Sequence, residues 1–187
     1  YTWNYHMELD PNGGGTVDND DSALTINTNG MGTFGIFDSE GGLSTEYSNI
    51  TGALGAGSDY AGISSSTVDR EGYDVSDYAN IQYHTPADLL PFGIQAKIGY
   101  APNTAQTGKG ASFKAEGAQN TAASGRAVEQ LQLSAAPYEG LTITGDVART
   151  TGQEAGTSKT HDEGVSANLG AKYTAGRFTL GYYEGGY

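Results

Sequence analysis

Strict alternation of apolar and polar residues is the feature of this sequence that most limits how it can fold. The first nine residues, YTWNYHMEL, carry an aromatic or apolar side chain at every odd position and a polar one at every even position. Successive side chains of a β-strand point to opposite sides of the sheet, so this pattern indicates a strand with one apolar and one polar face. The same period predicts further strands at residues 23–27, 33–37, 79–84, 94–100, 130–135, 141–149, 165–173 and 178–183.

The hairpin predicted from Tyr78 to Asn103 shows the two faces most clearly. Its turn, residues 85–92, contains two prolines, which cannot donate a hydrogen bond to a neighbouring strand and therefore end strands. Its apolar face carries Ile81, Tyr83, Ile94, Ile98 and Tyr100. Its polar face carries Asn80, Gln82, His84, Gln95 and Lys97. The apolar face must either pack inside a soluble protein or face lipid.

The predicted connections alternate in length along the chain. Long ones are expected at residues 10–22, 38–77, 102–126 and 150–164. Short ones are expected at residues 28–32, 85–92, 136–140 and 174–177. Short turns at one end of the sheet and long loops at the other are typical of outer-membrane barrels. The pattern therefore favours an all-β, antiparallel transmembrane β-barrel over a soluble β-sandwich.

Composition and charge narrow the classes of function. The net charge of −13 argues against nucleic acid as a partner, because binding phosphate requires a basic surface, and it favours cations as permeant or bound ions. The sequence contains no Cys, so a disulfide framework and a thiolate site are excluded. The sequence lacks a run of about 18 apolar residues, the length that would predict a transmembrane helix. A strand of a membrane barrel needs only about ten residues, half of them apolar.

Two segments resemble the trimeric general porins of Gram-negative bacteria. The hairpin IQYHTP…GIQAKIGYAPN, residues 81–103, is similar to the strand–turn–strand that follows the constriction loop in that family. The preceding GTFGIFD, residues 32–38, is similar to the strand that leads into the loop, and the order of the two segments also matches. The resemblance implies a water-filled outer-membrane channel for passive diffusion of small hydrophilic solutes and ions. It also implies a homotrimer in contact with lipid and lipopolysaccharide, without catalysis or cofactor.

Residues 38–77 resemble the third external loop of that family, which folds into the barrel and narrows it. The resemblance implies that acidic residues of this loop face the pore at its constriction, namely Asp59, Asp69, Glu71, Asp74 and Asp77. The family's arginines opposite the loop have no counterpart in the strands of this sequence. Either that basic cluster lies in strands outside this sequence, or the constriction is more acidic and more cation-selective than in the family. The side chains expected to line the pore are Asn80, Gln82, His84, Gln95, Lys97, Asp146 and Lys172.

Nine predicted strands do not match the even strand number of bacterial barrels. By the layout of the family, we expect residues 1–187 to be part of one barrel domain of about 16 strands, with roughly two strands before Tyr1 and about five after Tyr187. Residues 10–22 would then resemble the second external loop, which contacts the neighbouring subunit.

Two further interpretations stay open. Asp18, Asp20 and Asp21 are candidate Ca²⁺ ligands, because Ca²⁺ prefers oxygen ligands from flexible loops, but their spacing is not that of an EF-hand and a solvated acidic turn is the simpler reading. The alternative function is a soluble or surface-displayed β-sandwich binding protein of the adhesin or lectin type. No Ser, His and Asp in a recognisable context favours an enzyme.

Overall fold

The structure, a computed structural model, describes residues 1–11, 17–38, 40–45, 50, 73–86, 88–102, 126–152 and 164–186. In these residues nine β-strands form one antiparallel sheet, and each strand pairs with the next one along the chain. The prediction of an all-β antiparallel fold is therefore confirmed. No helix in the described part of the chain combines the length and the apolarity needed to cross a membrane.

The nine strands overlap all nine predicted segments. They are β1 (Thr2–Pro11), β2 (Val17–Asn27), β3 (Thr33–Asp38), β4 (Asn80–His84), β5 (Gln95–Ala101), β6 (Arg126–Tyr138), β7 (Leu141–Gly152), β8 (Gly164–Ala175) and β9 (Phe178–Gly186). The sheet is open, because β1 and β9 each pair with a single neighbour in the order β1 to β9.

The first long connection was predicted wrongly. Residues 10–22 were expected to form a loop, whereas β1 continues to Pro11 and β2 begins at Val17. After an irregularity between Met7 and Leu9 the two strands keep pairing, and Asp10 lies opposite Asp18. Backbone hydrogen bonds across the pair do not depend on side-chain hydrophobicity, so a polar, acidic sequence can extend a strand that already has a partner.

The other connections keep the predicted alternation of length. Consecutive antiparallel strands place successive connections at opposite ends of the sheet, so the strand ends joined by residues 39–79, 102–125 and 153–163 all lie at one end. The opposite end carries only short connections, such as the two-residue turn at 139–140 between β6 and β7. There, Gly140 has φ +80°, a backbone conformation that favours glycine, and its carbonyl oxygen accepts the Thr174 N–H at 2.9 Å.

Apart from irregularities near the ends of the β1–β2 and β6–β7 pairs, the strand register separates the sheet into two faces. Ile36 lies opposite Ile81, which lies opposite Tyr100 on the next strand, and on the other face Gly35, Gln82 and Gly99 are opposed in the same way. Large exposed side chains of the apolar face come from all nine strands: Trp3, Tyr5, Met7, Ile26, Phe34, Ile36, Ile81, Ile98, Tyr100, Leu133, Ile143, Val147, Val165, Leu169, Tyr173, Leu180 and Tyr182.

Burial is inverted relative to an ordinary soluble sheet. Trp3 is 75% exposed and Ile36 is 58% exposed on the apolar face. On the polar face, Asn80 and Gln130 are only 2% exposed. Soluble domains bury apolar side chains and leave polar ones in water, so this sheet covers the face that would normally be solvated.

Candidate functional site

Part of the connection between β3 and β4 covers the polar face of the sheet. We call its described residues 40–45, 50 and 73–78 the inward segment. Side chains from β4, β6, β7 and β8 hydrogen-bond to its backbone, as detailed below. The predicted constriction loop, residues 38–77, therefore packs on the polar face in those parts of it that the structure describes.

A small apolar cluster fixes the centre of the inward segment. Leu43, Val75 and Tyr78 are buried against Ala101 of β5 and Val128 of β6. The sheet makes room for them at Gly99, where a Cβ atom would lie 2.9 Å from a methyl carbon of both Leu43 and Val75. Burying a large apolar side chain stabilises a fold by about 1.5–3 kcal/mol, so this cluster helps to hold the inward segment on the sheet.

Asp74 joins the two arms of the inward segment. Its Oδ1 accepts the Leu43 N–H at 3.0 Å, and its Oδ2 accepts the Ser44 N–H at 2.9 Å. Its Oδ1 also accepts the Ser76 N–H at 3.0 Å, which caps the 3₁₀ turn Val75–Asp77. Asp74 is 4% exposed, and three backbone amides satisfy this buried carboxylate.

Asp146 on β7 connects the inward segment to the sheet. Its Oδ2 accepts the Thr45 N–H at 2.6 Å. Its Oδ1 accepts the side-chain amides of Asn168 on β8 at 3.2 Å and of Gln130 on β6 at 3.4 Å. The carboxylate is 6% exposed, and these three donors are all neutral. A buried charge is tolerated when hydrogen bonds replace its hydration, and these contacts supply that replacement.

Side-chain amides hold the remaining backbone of the inward segment. Gln130 accepts the Val75 N–H at 2.9 Å through Oε1, and Gln132 donates to the Leu43 carbonyl at 2.7 Å. On β8, Ser166 Oγ accepts the Tyr73 N–H at 2.9 Å. These contacts satisfy the backbone donors of Tyr73 and Val75 and the backbone acceptor of Leu43, so these groups can be buried against the sheet.

A hydrogen-bonded row on β4 leads from the inward segment to His84. Asn80 Nδ2 donates to the carbonyl oxygens of Glu40 and Val75 at 3.0 and 3.1 Å. Gln82 Nε2 donates to the Gly41 carbonyl and to Asn80 Oδ1, and Gln82 Oε1 faces His84 Nε2 at 2.8 Å. An amide oxygen only accepts, so His84 is the donor in this contact and carries its proton on Nε2.

The structure brings only some of the predicted pore residues together. Asn80, Gln82 and Asp146 lie under the inward segment, whereas Lys97 and Lys172 are half-buried and Gln95 is exposed. Asp74 lies inside the segment, where backbone amides bind it.

The other predicted acidic residues are described less fully or not at all. Asp59, Asp69 and Glu71 lie outside the described residues, and of Asp77 only the backbone is described. The three candidate Ca²⁺ ligands lie in β2 rather than in the expected loop, and the side chains of Asp18 and Asp20 lie outside the description. Across the described residues no group of three or more His, Cys, Asp or Glu could hold a metal ion.

Five residues that hold the inward segment in these contacts were not among the site residues predicted from the sequence. They are Thr45, Gln130, Gln132, Ser166 and Asn168. The alternation of apolar and polar residues places Gln130, Ser166 and Asn168 on the polar face of their strands. This alternation is the feature of the sequence from which their role could have been predicted. Comparison with protein-family models, with curated proteins and with solved structures gave no match.

Proposed function

We propose that this protein is a porin of the Gram-negative outer membrane that lets small hydrophilic solutes and ions diffuse through a water-filled pore. The observation that carries the proposal is the inverted burial of the sheet. The apolar side chains form a wide exposed surface from Trp3 on β1 to Tyr182 on β9. Exposed apolar surfaces larger than a few hundred Å² are rare on soluble monomers, and lipid is the environment that suits one of this extent.

A closed barrel would satisfy the open edges of the sheet. The free backbone groups of β1 and β9 cannot face lipid without a partner, since each unsatisfied group in hydrocarbon costs several kcal/mol. We propose that the nine strands belong to a barrel of about 16, the size at which a porin encloses an aqueous channel. The resemblance of residues 32–38 and 81–103 to the trimeric general porins supports this barrel and a homotrimer in contact with lipid and lipopolysaccharide.

The inward segment gives the pore its constriction in this proposal. It packs on the face that would line the lumen, and the connection to which it belongs carries Asp59, Asp69, Glu71 and Asp77 in addition to the buried Asp74. Carboxylates in a confined pore attract cations and repel anions. The net charge of −13 acts in the same direction, so the channel is proposed to prefer cations.

The soluble alternative, a β-sandwich binding protein, has no specific observation in its favour. A sandwich buries the apolar faces of two sheets against each other. The described strands form a single sheet whose apolar face is exposed, with Ile98 at 51% and Leu133 at 43% exposure. The polar face, which a sandwich would leave in water, is the one that the inward segment covers.

Planar-bilayer recording tests the proposed function. We expect the protein to produce stepwise increases in conductance, with a reversal potential in a salt gradient that shows cations to be more permeant than anions. Anion selectivity would contradict the acidic constriction while leaving the channel in place. Protein that is folded and inserted, but leaves the bilayer no more conductive than before, would contradict the channel itself.

A further inference from the structure

Side chains of the two strands that flank β7 hold Asp146 in a defined position beneath the inward segment. Asn168 on β8 and Gln130 on β6 flank β7 and donate to the carboxylate from both sides. The Thr45 N–H, 101 residues away in sequence, then completes the set at 2.6 Å from Oδ2. A charged acceptor fixed by two neighbouring strands is a rigid anchor, because its supporting hydrogen bonds restrict its rotamer.

We propose that Asp146 positions the inward segment against the sheet and thereby sets the open cross-section of the pore. The inference rests on the proposed channel function, since a cross-section has meaning only if solutes pass along the polar face. Asp146 acts through residues 40–45 and needs no contact with the solute. Asp74 has a different task, because its hydrogen bonds to Leu43, Ser44 and Ser76 join the segment to itself.

The charge and the shape of the carboxylate are both required. The donors from Thr45, Gln130 and Asn168 need an acceptor with two oxygen atoms and no hydrogen. In Asp146→Asn one of those oxygens becomes an NH₂ group that faces a donor, whichever way the amide is turned. A buried N–H loses its partner, and the remaining contacts lose their charge assistance.

Thr45→Cys supplies a reporter of the segment's position that does not depend on conductance. The chain contains no Cys, so the new thiol is unique, and Thr45 is only 3% exposed. The Thr45 hydroxyl lies close to the Asp146 carboxylate but meets no partner with hydrogen-bond geometry within the described residues, and the thiol that replaces it is also a weak donor. The backbone N–H that binds Asp146 is kept. A water-soluble thiol reagent should therefore react slowly with this variant in lipid vesicles.

Adding Asp146→Asn to Thr45→Cys should raise the rate of thiol modification at least about tenfold, because a charge-assisted hydrogen bond is lost. The matched control is Glu139→Gln in the exposed β6–β7 turn, which changes the charge equally and should leave the rate unchanged. An unchanged rate in the Asp146 variant would overturn the positioning role. If only the midpoint of urea unfolding fell, Asp146 would merely stabilise the sheet, and the proposal would likewise be overturned.

Single-channel recording of the Asp146→Asn variant tests the effect on the pore. The expected result is a larger or more strongly fluctuating conductance and passage of larger sugars than in wild type. Equal conductance and the same size limit would overturn the link to cross-section, even if the thiol rate rose. If wild type itself does not conduct, the proposed function and the link to the pore fail, and the thiol rates alone decide whether Asp146 holds the segment.

A second variant covers the case in which Asp146→Asn does not assemble. Thr45→Pro removes the N–H group that binds Asp146, and it changes no residue of any strand. Ile50→Cys then serves as the reporter, because Ile50 is 6% exposed and packs at Gly170. Faster modification than in Ile50→Cys alone is expected, and an unchanged rate would overturn the proposal.

Discussion

Gly170 on β8 admits the inward segment because it has no side chain. A Cβ atom at this position would lie 2.5 Å from Ile50 Cγ1 and 3.0 Å from Thr45 Cγ2, well inside van der Waals contact. On β9, a Cβ atom at Gly181 would lie 2.7 Å from the carbonyl oxygen of Ile50. These glycines are needed for close approach of another chain segment, which is a different use from that of Gly140 in its turn.

Gly170→Ala should lower the free energy of unfolding by about 1–3 kcal/mol, the usual range for overpacking a tightly packed site. The added methyl group must displace Ile50 or Thr45, so it should also loosen the inward segment. Urea titration of the protein in lipid vesicles measures the change. Gly186→Ala is the matched control, since a Cβ atom there meets nothing within 4 Å. Equal stability of both variants would show that the segment does not pack at Gly170.

The sequence predicts which strand residues lie on the polar face at the site, but it does not predict which residues of the inward segment they contact. The period of two places Asn80, Gln82 and Asp146 on one face, because orientation in a strand is a local property. The contact between Thr45 and Asp146 joins residues 101 apart, and no local pattern encodes it. Asp74 was expected to face the pore as a charge, and the buried amides that bind it are likewise visible only in three dimensions.

Each strand is a two-sided element, and adjacent residues on it meet different surroundings. Leu133 on β6 belongs to the apolar face and is 43% exposed. Ser134, the next residue, lies opposite Gln95 and Thr144 on the polar face. In the proposed barrel the first residue faces lipid and the second faces water, which makes this pair a direct comparison of the two environments.

Leu133→Arg should destabilise the inserted protein by about 2–4 kcal/mol, the cost of a basic side chain on the lipid face near the bilayer centre. Ser134→Arg, one residue further on, should cost far less because its side chain reaches water. Unfolding by urea in vesicles compares the two variants. Equal losses in both, or a Leu133 variant that assembles as well as wild type, would place that face away from lipid.

The alternation of residues along the sequence predicted where each strand lies, whereas the length of a strand also depended on the strand with which it pairs. All nine strands were predicted, yet β2 was expected to begin at residue 23 and begins at Val17. Its first residues, including Asp18 and Asp20, are polar and lack the alternation that marks a strand, and they join the sheet because β1 provides a partner. Of β6 only the central part, residues 130–135, was predicted. The strand begins at Arg126, in the expected loop 102–126, and continues to Tyr138, in the expected turn 136–140.

At the scale of the whole molecule, the two sides of the sheet differ in polarity, and this difference is the basis of the proposal of a membrane protein over a soluble one. The buried cluster is small and lies between the inward segment and the sheet, with Leu43, Val75 and Val128 at its centre. The wide apolar surface lies on the other side of the sheet. A soluble domain would need to cover that surface, whereas a membrane solvates it without a covering layer.

Site-specific fluorescence quenching tests the lipid-facing orientation of the sheet most directly. Single Cys residues at Leu133, Ser134, Ile143 and Thr144, each carrying a fluorophore, sample both faces of two neighbouring strands, and the chain has no other thiol. We predict that nitroxide-labelled lipid chains quench positions 133 and 143 and that aqueous iodide quenches positions 134 and 144. Quenching of all four positions by iodide, with none by the lipid label, would contradict a membrane-spanning sheet.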